Sequence, residues 1–124
     1  YNSWPLMGET YFPDDNSLSG LFNLSAFNDP SIVQFLHRNF AYLIFFFYLL
    51  ILFQIYKYKL FTFYKIIFII GFLLILQILL GILTLISGAN MILASMHQIS
   101  SIFLVSSGIY LLYINLNTNL QLSN

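Results

Sequence analysis

Residues Ile66–Ile86 read IIFIIGFLLILQILLGILTLI, an apolar run without one ionisable side chain. A helix rising about 1.5 Å per residue needs about 20 such residues to cross a hydrocarbon core of about 30 Å. Two more runs flank it, roughly Phe35–Tyr56 and Ile92–Ile114. The whole chain agrees with them: of 124 residues 60% are hydrophobic and 6% charged, with a mean hydropathy of +0.86. A soluble domain carries about 25% charged residues. The expected fold class is an all-α membrane protein, with three transmembrane helices preceded by a loop segment on the outer face.

Local signals set the boundaries. Asp29 is placed as an N-cap, and Pro30 suits the first helical position, where a backbone N–H would go unpaired. Helix one is predicted over about 31–56 and helix two over about 62–87, with Gly88 as its C-terminal glycine. Asn90 then caps helix three, about 91–115, and residues 116–124 form a tail on the inner side. The chain divides into a cap over 1–30, a three-helix domain over 31–115, and that tail. Short loops make the helices alternate, so helices one and three run in parallel.

Charge gives an orientation. All four acids (Glu9, Asp14, Asp15, Asp29) precede the first helix, while Lys57, Lys59 and Lys65 lie in or beside the first loop. Lysine in a short loop marks the inner side, which puts the cap and the Ser87–Met91 turn on the outer one. The cap carries turn signals at Trp4-Pro5, Met7-Gly8, Phe12-Pro13-Asp14-Asp15 and Ser19-Gly20. Its Trp4, Tyr11, Phe12, Phe22 and Phe27 suit an interfacial layer, and Asn23-Leu24-Ser25 matches a glycosylation acceptor. Without an initiator Met the chain reads as cut from something longer. Its wealth of Phe, Ile, Leu, Tyr and Asn suits an AT-rich genome. The mitochondrial inner membrane is the expected location, with a bacterial plasma membrane as the alternative.

Several chemistries are excluded. No cysteine means no disulfide, thiolate metal site or cysteine nucleophile. Zero net charge and the lack of a basic face argue against nucleic acid as a partner. No carboxylate lies within a span, so the chain shows no general acid or base in the membrane.

What remains is a pair of histidines. His37 and His97 each lie six residues past the start of a helix, at Ser31 and Met91, about 9 Å down. An intramembrane histidine is costly and marks a functional site by default. Two at one depth on parallel helices suit the two faces of a porphyrin, whose macrocycle supplies the other four ligands to iron. Interior histidines bonded to Ser, Gln or carbonyl groups, and a proton path, are the other readings. His97, Ser101, Leu104 and Gly108 share one helix face, as do Gln77, Gly81, Thr84 and Gly88. Small residues there let a flat group approach, or simply pack helix on helix. Arg38 suits either a carboxylate of such a group or an acid of the cap. Gln34, one turn before His37, is a hydrogen-bonding candidate, and Gln98 is also near.

These elements together resemble a known family. Ser3-Trp4-Pro5-Leu6-Met7-Gly8-Glu9, Phe12-Pro13-Asp14-Asp15 and Asn28-Asp29-Pro30-Ser31-Ile32-Val33-Gln34-Phe35-Leu36-His37-Arg38 are similar to the outer loop and start of the sixth helix of haem A synthase. Gln77–Thr84 and Ala94-Ser95-Met96-His97-Gln98 are similar to its seventh and eighth helices. The resemblance implies an oxidoreductase of eight helices in two four-helix halves, each holding a haem through two histidines near the outer face. It converts haem O to haem A for cytochrome c oxidase. The first half handles the substrate and carries an essential glutamate three residues before its first histidine. Here that position is Gln34, as in the second half, which holds a b-type haem that relays electrons.

On that resemblance the chain is the second half without its first helix. His37 and His97 become axial ligands of haem b iron, Arg38 a propionate contact, and Gln34, Ser101 and Gly108 neighbours of the cofactor. The expected partners are the lipid membrane, a separate chain bearing the first half, and cytochrome c oxidase or its assembly factors. Two other readings stay open: a structural or assembly subunit of a respiratory complex without activity, and a stand-alone b-type electron-transfer subunit.

Overall fold

A computed structural model describes residues 1–17 and 24–122. The Ser19-Gly20 turn signal, Phe22 and Asn23 of the acceptor pattern lie outside the described residues. Among those described are three long helices and no strand, only an isolated bridge between Met7 and Thr10. The helices are α1 (Pro30–Lys57), α2 (Tyr64–Ile86) and α3 (Met91–Leu122), with short 3-10 turns at Leu24–Asn28 and Phe61–Phe63. All three are long and apolar enough to cross a membrane.

The ends of the helices follow local chemistry. Asp29 Oδ1 accepts from the Ser31 and Ile32 amides at 2.8 and 3.3 Å, with Pro30 next to it in the first turn. The α1 C-terminus closes with Lys59 at φ 52°. There the Leu60 N–H bonds the Ile55 carbonyl, and the Lys59 N–H that of Tyr56. α2 ends in the same way: Gly88 sits at φ +70° and Ala89 at +62°. The Ala89 N–H bonds the Thr84 carbonyl at 2.9 Å, and the Gly88 N–H that of Leu85 at 3.2 Å. Both are Schellman closures, which satisfy carbonyls otherwise orphaned at a helix end. Asn90 Oδ1 then accepts from Ile92 and Leu93 to open α3.

α3 runs to Leu122, past the end expected near Asn115. Residues 116–122, expected as a tail, are helical because no glycine or proline interrupts Asn115–Leu122.

α2 and α3 pack along each other, while α1 touches α2 more sparsely and α3 least. A cluster of buried residues, Ile55, Phe63, Ile66 and Ile67, sits by the lysine-bearing loop, with Tyr48, Leu52, Leu111 and Ile114 against it. Gly71 lets α1 come close there, because a Cβ on it would meet the Tyr48 hydroxyl. Most other large apolar side chains on the helices are exposed, as suits lipid or further helices.

At the far end, residues 1–17 fold back on α1. Met7 and Pro13 are buried. Phe12 and Tyr11 pack edge-on against Phe35, with ring centres at 5.1 and 5.6 Å. The Tyr11 hydroxyl donates to Asn39 Oδ1 at 2.6 Å. Phe12 is thus spent on the helix, while Trp4 and Phe27 stay exposed. The Asp15 carboxylate accepts from the hydroxyls of Ser31 (2.8 Å) and Tyr1 (2.9 Å). Those two bonds, Ser31 first, hold its pKa below the ordinary value of 3.8.

Candidate functional site

His37 lies about two turns into α1 and His97 at a matching depth in α3. Their ring centres stand 6.2 Å apart, with the planes at 75°. The helices bearing them barely meet, so the two rings stand edge to face with little other packing between α1 and α3. Among the described residues no group of three or more His, Cys, Asp or Glu converges on a metal site. The donor set at this end is therefore two imidazoles.

The two rings have different surroundings. His37 is exposed, in a shallow hollow of about 230 Å³ lined by Phe27, Val33, Leu36 and Phe40. His97 is half-buried against α2. Its Nδ1 is 3.1 Å from the Gln77 carbonyl oxygen, and its Nε2 is 3.3 Å from the Gln77 side-chain nitrogen. The Ser100 hydroxyl bonds Gln77 Oε1 and lies 3.0 Å from the His97 carbonyl. Gly81, one turn beyond Gln77, makes room: a Cβ there would stand 3.1 Å from His97 Cε1.

Arg38 is not paired with an acid. Its Nη1 donates to the carbonyls of Pro5 (3.3 Å) and Leu6 (3.2 Å), and its Nη2 to that of Ser3 (2.8 Å). Gln34 Nε2 donates to the Tyr1 carbonyl at 2.8 Å. Two atoms, Arg38 Nε and Gln34 Oε1, are buried without a partner among the described residues. Of the other candidates, Ser101 returns its hydroxyl to the Gln98 carbonyl at 2.6 Å. Gly108 has open space where a Cβ would stand, and Gln98 is exposed. A larger hollow, about 470 Å³ between α2 and α3, opens beside Lys65 and Tyr110, away from the histidines.

Sequence reasoning grouped Gln77 and Gly81 in one inward stripe without bringing them to His97, and it passed over Ser100. The available signal was that Ser100 stands three residues after His97, on the same face.

The model of the cytochrome oxidase assembly protein family matches residues 1–109. The chain belongs to that family. It is 46% identical over 117 residues to the heme A synthase of Pelagibacter ubique, covering 94% of this chain and 34% of that protein. The heme A synthases of Rickettsia felis and Rickettsia prowazekii are each 34% identical to it, over 92% and 86% of this chain and 34% and 31% of theirs. The chain therefore spans about a third of the length of the curated relatives it matches. No solved structure matches it.

Proposed function

We propose that this chain is the haem-b-binding half of a haem A synthase, an oxidoreductase that converts haem O to haem A for cytochrome c oxidase assembly. One observation carries the reading: the 6.2 Å between the His37 and His97 ring centres. A metal–imidazole bond of about 2 Å, plus about 1 Å from nitrogen to ring centre, puts two imidazoles on opposite sides of one metal about 6 Å apart. On that spacing His37 and His97 would hold the iron of a porphyrin, once His97 Nε2 is released from Gln77.

A haem held there would supply one-electron transfer. The chain's own residues do the holding. His97 is braced on α2 by Gln77, while Arg38 and Gln34 fasten the cap over the site. The unpartnered Arg38 Nε–H is the donor we assign to a propionate, and Ser101 and Gly108 keep the α3 wall low. No carboxylate lies within the three spans of these residues, so on this reading the substrate haem and the essential glutamate belong to the other half of the enzyme. The exposure of His37, Val33 and Phe40 agrees with a wall supplied from outside. The membrane is the mitochondrial inner membrane or its bacterial counterpart, the plasma membrane. The histidine end faces outward, as the three lysines at the other end support.

The test is spectroscopic. The purified complex is expected to show a low-spin haem spectrum that His97→Ala abolishes. A spectrum untouched by that substitution refutes the reading.

A further inference from the structure

His97 meets α2 through both ring nitrogens, and the two partners admit one proton arrangement for a neutral ring. The Nδ1 partner is the Gln77 main-chain carbonyl, which only accepts, so Nδ1 carries the hydrogen. Nε2 is then a bare lone pair. The group beside it is the Gln77 amide nitrogen, which donates. The amide oxygen accepts from the hydroxyl of Ser100, a buried serine, which agrees with the amide nitrogen facing Nε2. Turned over, the amide would set its oxygen against the Nε2 lone pair. Gly81 gives the ring its room, since a methyl 3.1 Å from Cε1 would make the ring give way by a few tenths of an ångström.

We propose that Gln77 both aims His97 and guards its ligating nitrogen until iron arrives. The main-chain carbonyl, reachable because residue 81 is glycine, takes Nδ1–H and leaves Nε2 as the coordinating atom. The side-chain amide, steered by Ser100, bonds that Nε2 in the metal-free protein and yields it on loading. The inference rests on the haem reading above. Metal-binding histidines commonly donate their second N–H to a carbonyl or carboxylate, and here the acceptor belongs to a neighbouring helix. The amide answers a separate need, because a lone pair turned toward α2 on a half-buried ring is better satisfied by a donor.

Two measurements test it. Nitrogen-15 NMR of the metal-free protein in detergent micelles is expected to show His97 as the Nδ1–H form; the Nε2–H form overturns the proposal. In titrations with ferric haem, Gln77→Leu keeps the carbonyl and removes the competitor. It is expected to bind about two- to tenfold more tightly than the parent, with a low-spin spectrum. Unchanged or weaker binding by this variant overturns the guarding role. Gly81→Ala is expected to bind about 10- to 100-fold more weakly, and Gln77→Leu keeps the test decisive if that variant does not fold. If the parent takes up no haem through His97, the function falls, while the NMR result still decides how the ring is held.

Discussion

Arg38 Nη2 donates to the Ser3 carbonyl at 2.8 Å, fastening to α1 a residue 35 positions earlier in the chain. With the bonds to Pro5 and Leu6, one guanidinium gathers three carbonyls that have no helix or strand to bond within. Its fork of donors suits such divergent acceptors, and a lysine ammonium cannot copy that geometry.

Arg38→Lys is accordingly expected to loosen the cap while leaving the helices intact, and Arg38→Ala to loosen it further, at a cost of about 2 kcal/mol. Hydrogen exchange or limited proteolysis over residues 1–17 reads the effect. Equal protection in all three proteins would show that the guanidinium does not hold the cap.

Acid should release the same segment. Asp15 has its pKa lowered by bonds from Ser31 and Tyr1, so the carboxylate form is favoured when the cap is docked. That stabilisation is present above the ordinary value of 3.8 and is lost as pH falls through the lower docked value. Cap protection is expected to drop below about pH 4, and Asp15→Asn to be weak at every pH without that step. Exchange rates measured between pH 6 and 3 check both.

Gly71 and Tyr48 form a matched pair. Gly71→Ala drives a methyl into the Tyr48 hydroxyl, and overpacking of this kind costs about 1–3 kcal/mol. Tyr48→Phe removes the obstructing oxygen and also the 3.3 Å bond to the Ile67 carbonyl. The double variant is expected to be more stable than the two single losses sum to, measured by unfolding in mixed micelles. Strict additivity would mean that the two sites do not touch.

The α2–α3 turn holds two consecutive left-handed residues, one of them an alanine. Ala89→Gly relieves a non-glycine residue at φ +62° and is expected to add about 0.5–1 kcal/mol. Gly88→Ala is expected to remove about 1 kcal/mol. A Cβ on Gly88 meets nothing closer than 3.7 Å, so that loss is backbone strain alone. Thermal unfolding that moves both variants the same way would contradict this account.

The helices were legible because hydrocarbon thickness dictates their length, and because Asp29-Pro30, Gly88 and Asn90 act within a few residues of where they stand. The extension of α3 was hidden, since Asn115 and its neighbours weaken a helix without ending it. The partners of Arg38 were hidden for another reason. Carbonyl oxygens exist at every residue, so the choice of Ser3, Pro5 and Leu6 leaves no trace in side-chain identity. His97 and Gln77, 20 positions apart, meet only through the lateral register of two helices, which apolar periodicity does not specify.

That register has its origin in the turn at Gly88. Gln77 lies about three turns before it and His97 about two and a half turns after, so the bend works as an indexing pin between two arms of nearly equal reach. Lengthening either arm by a single residue swings one partner about 100° around its axis. Insertions between Leu80 and Ala94 should therefore be far more damaging than their number suggests, whereas the stretch beyond Ile114 carries no such constraint.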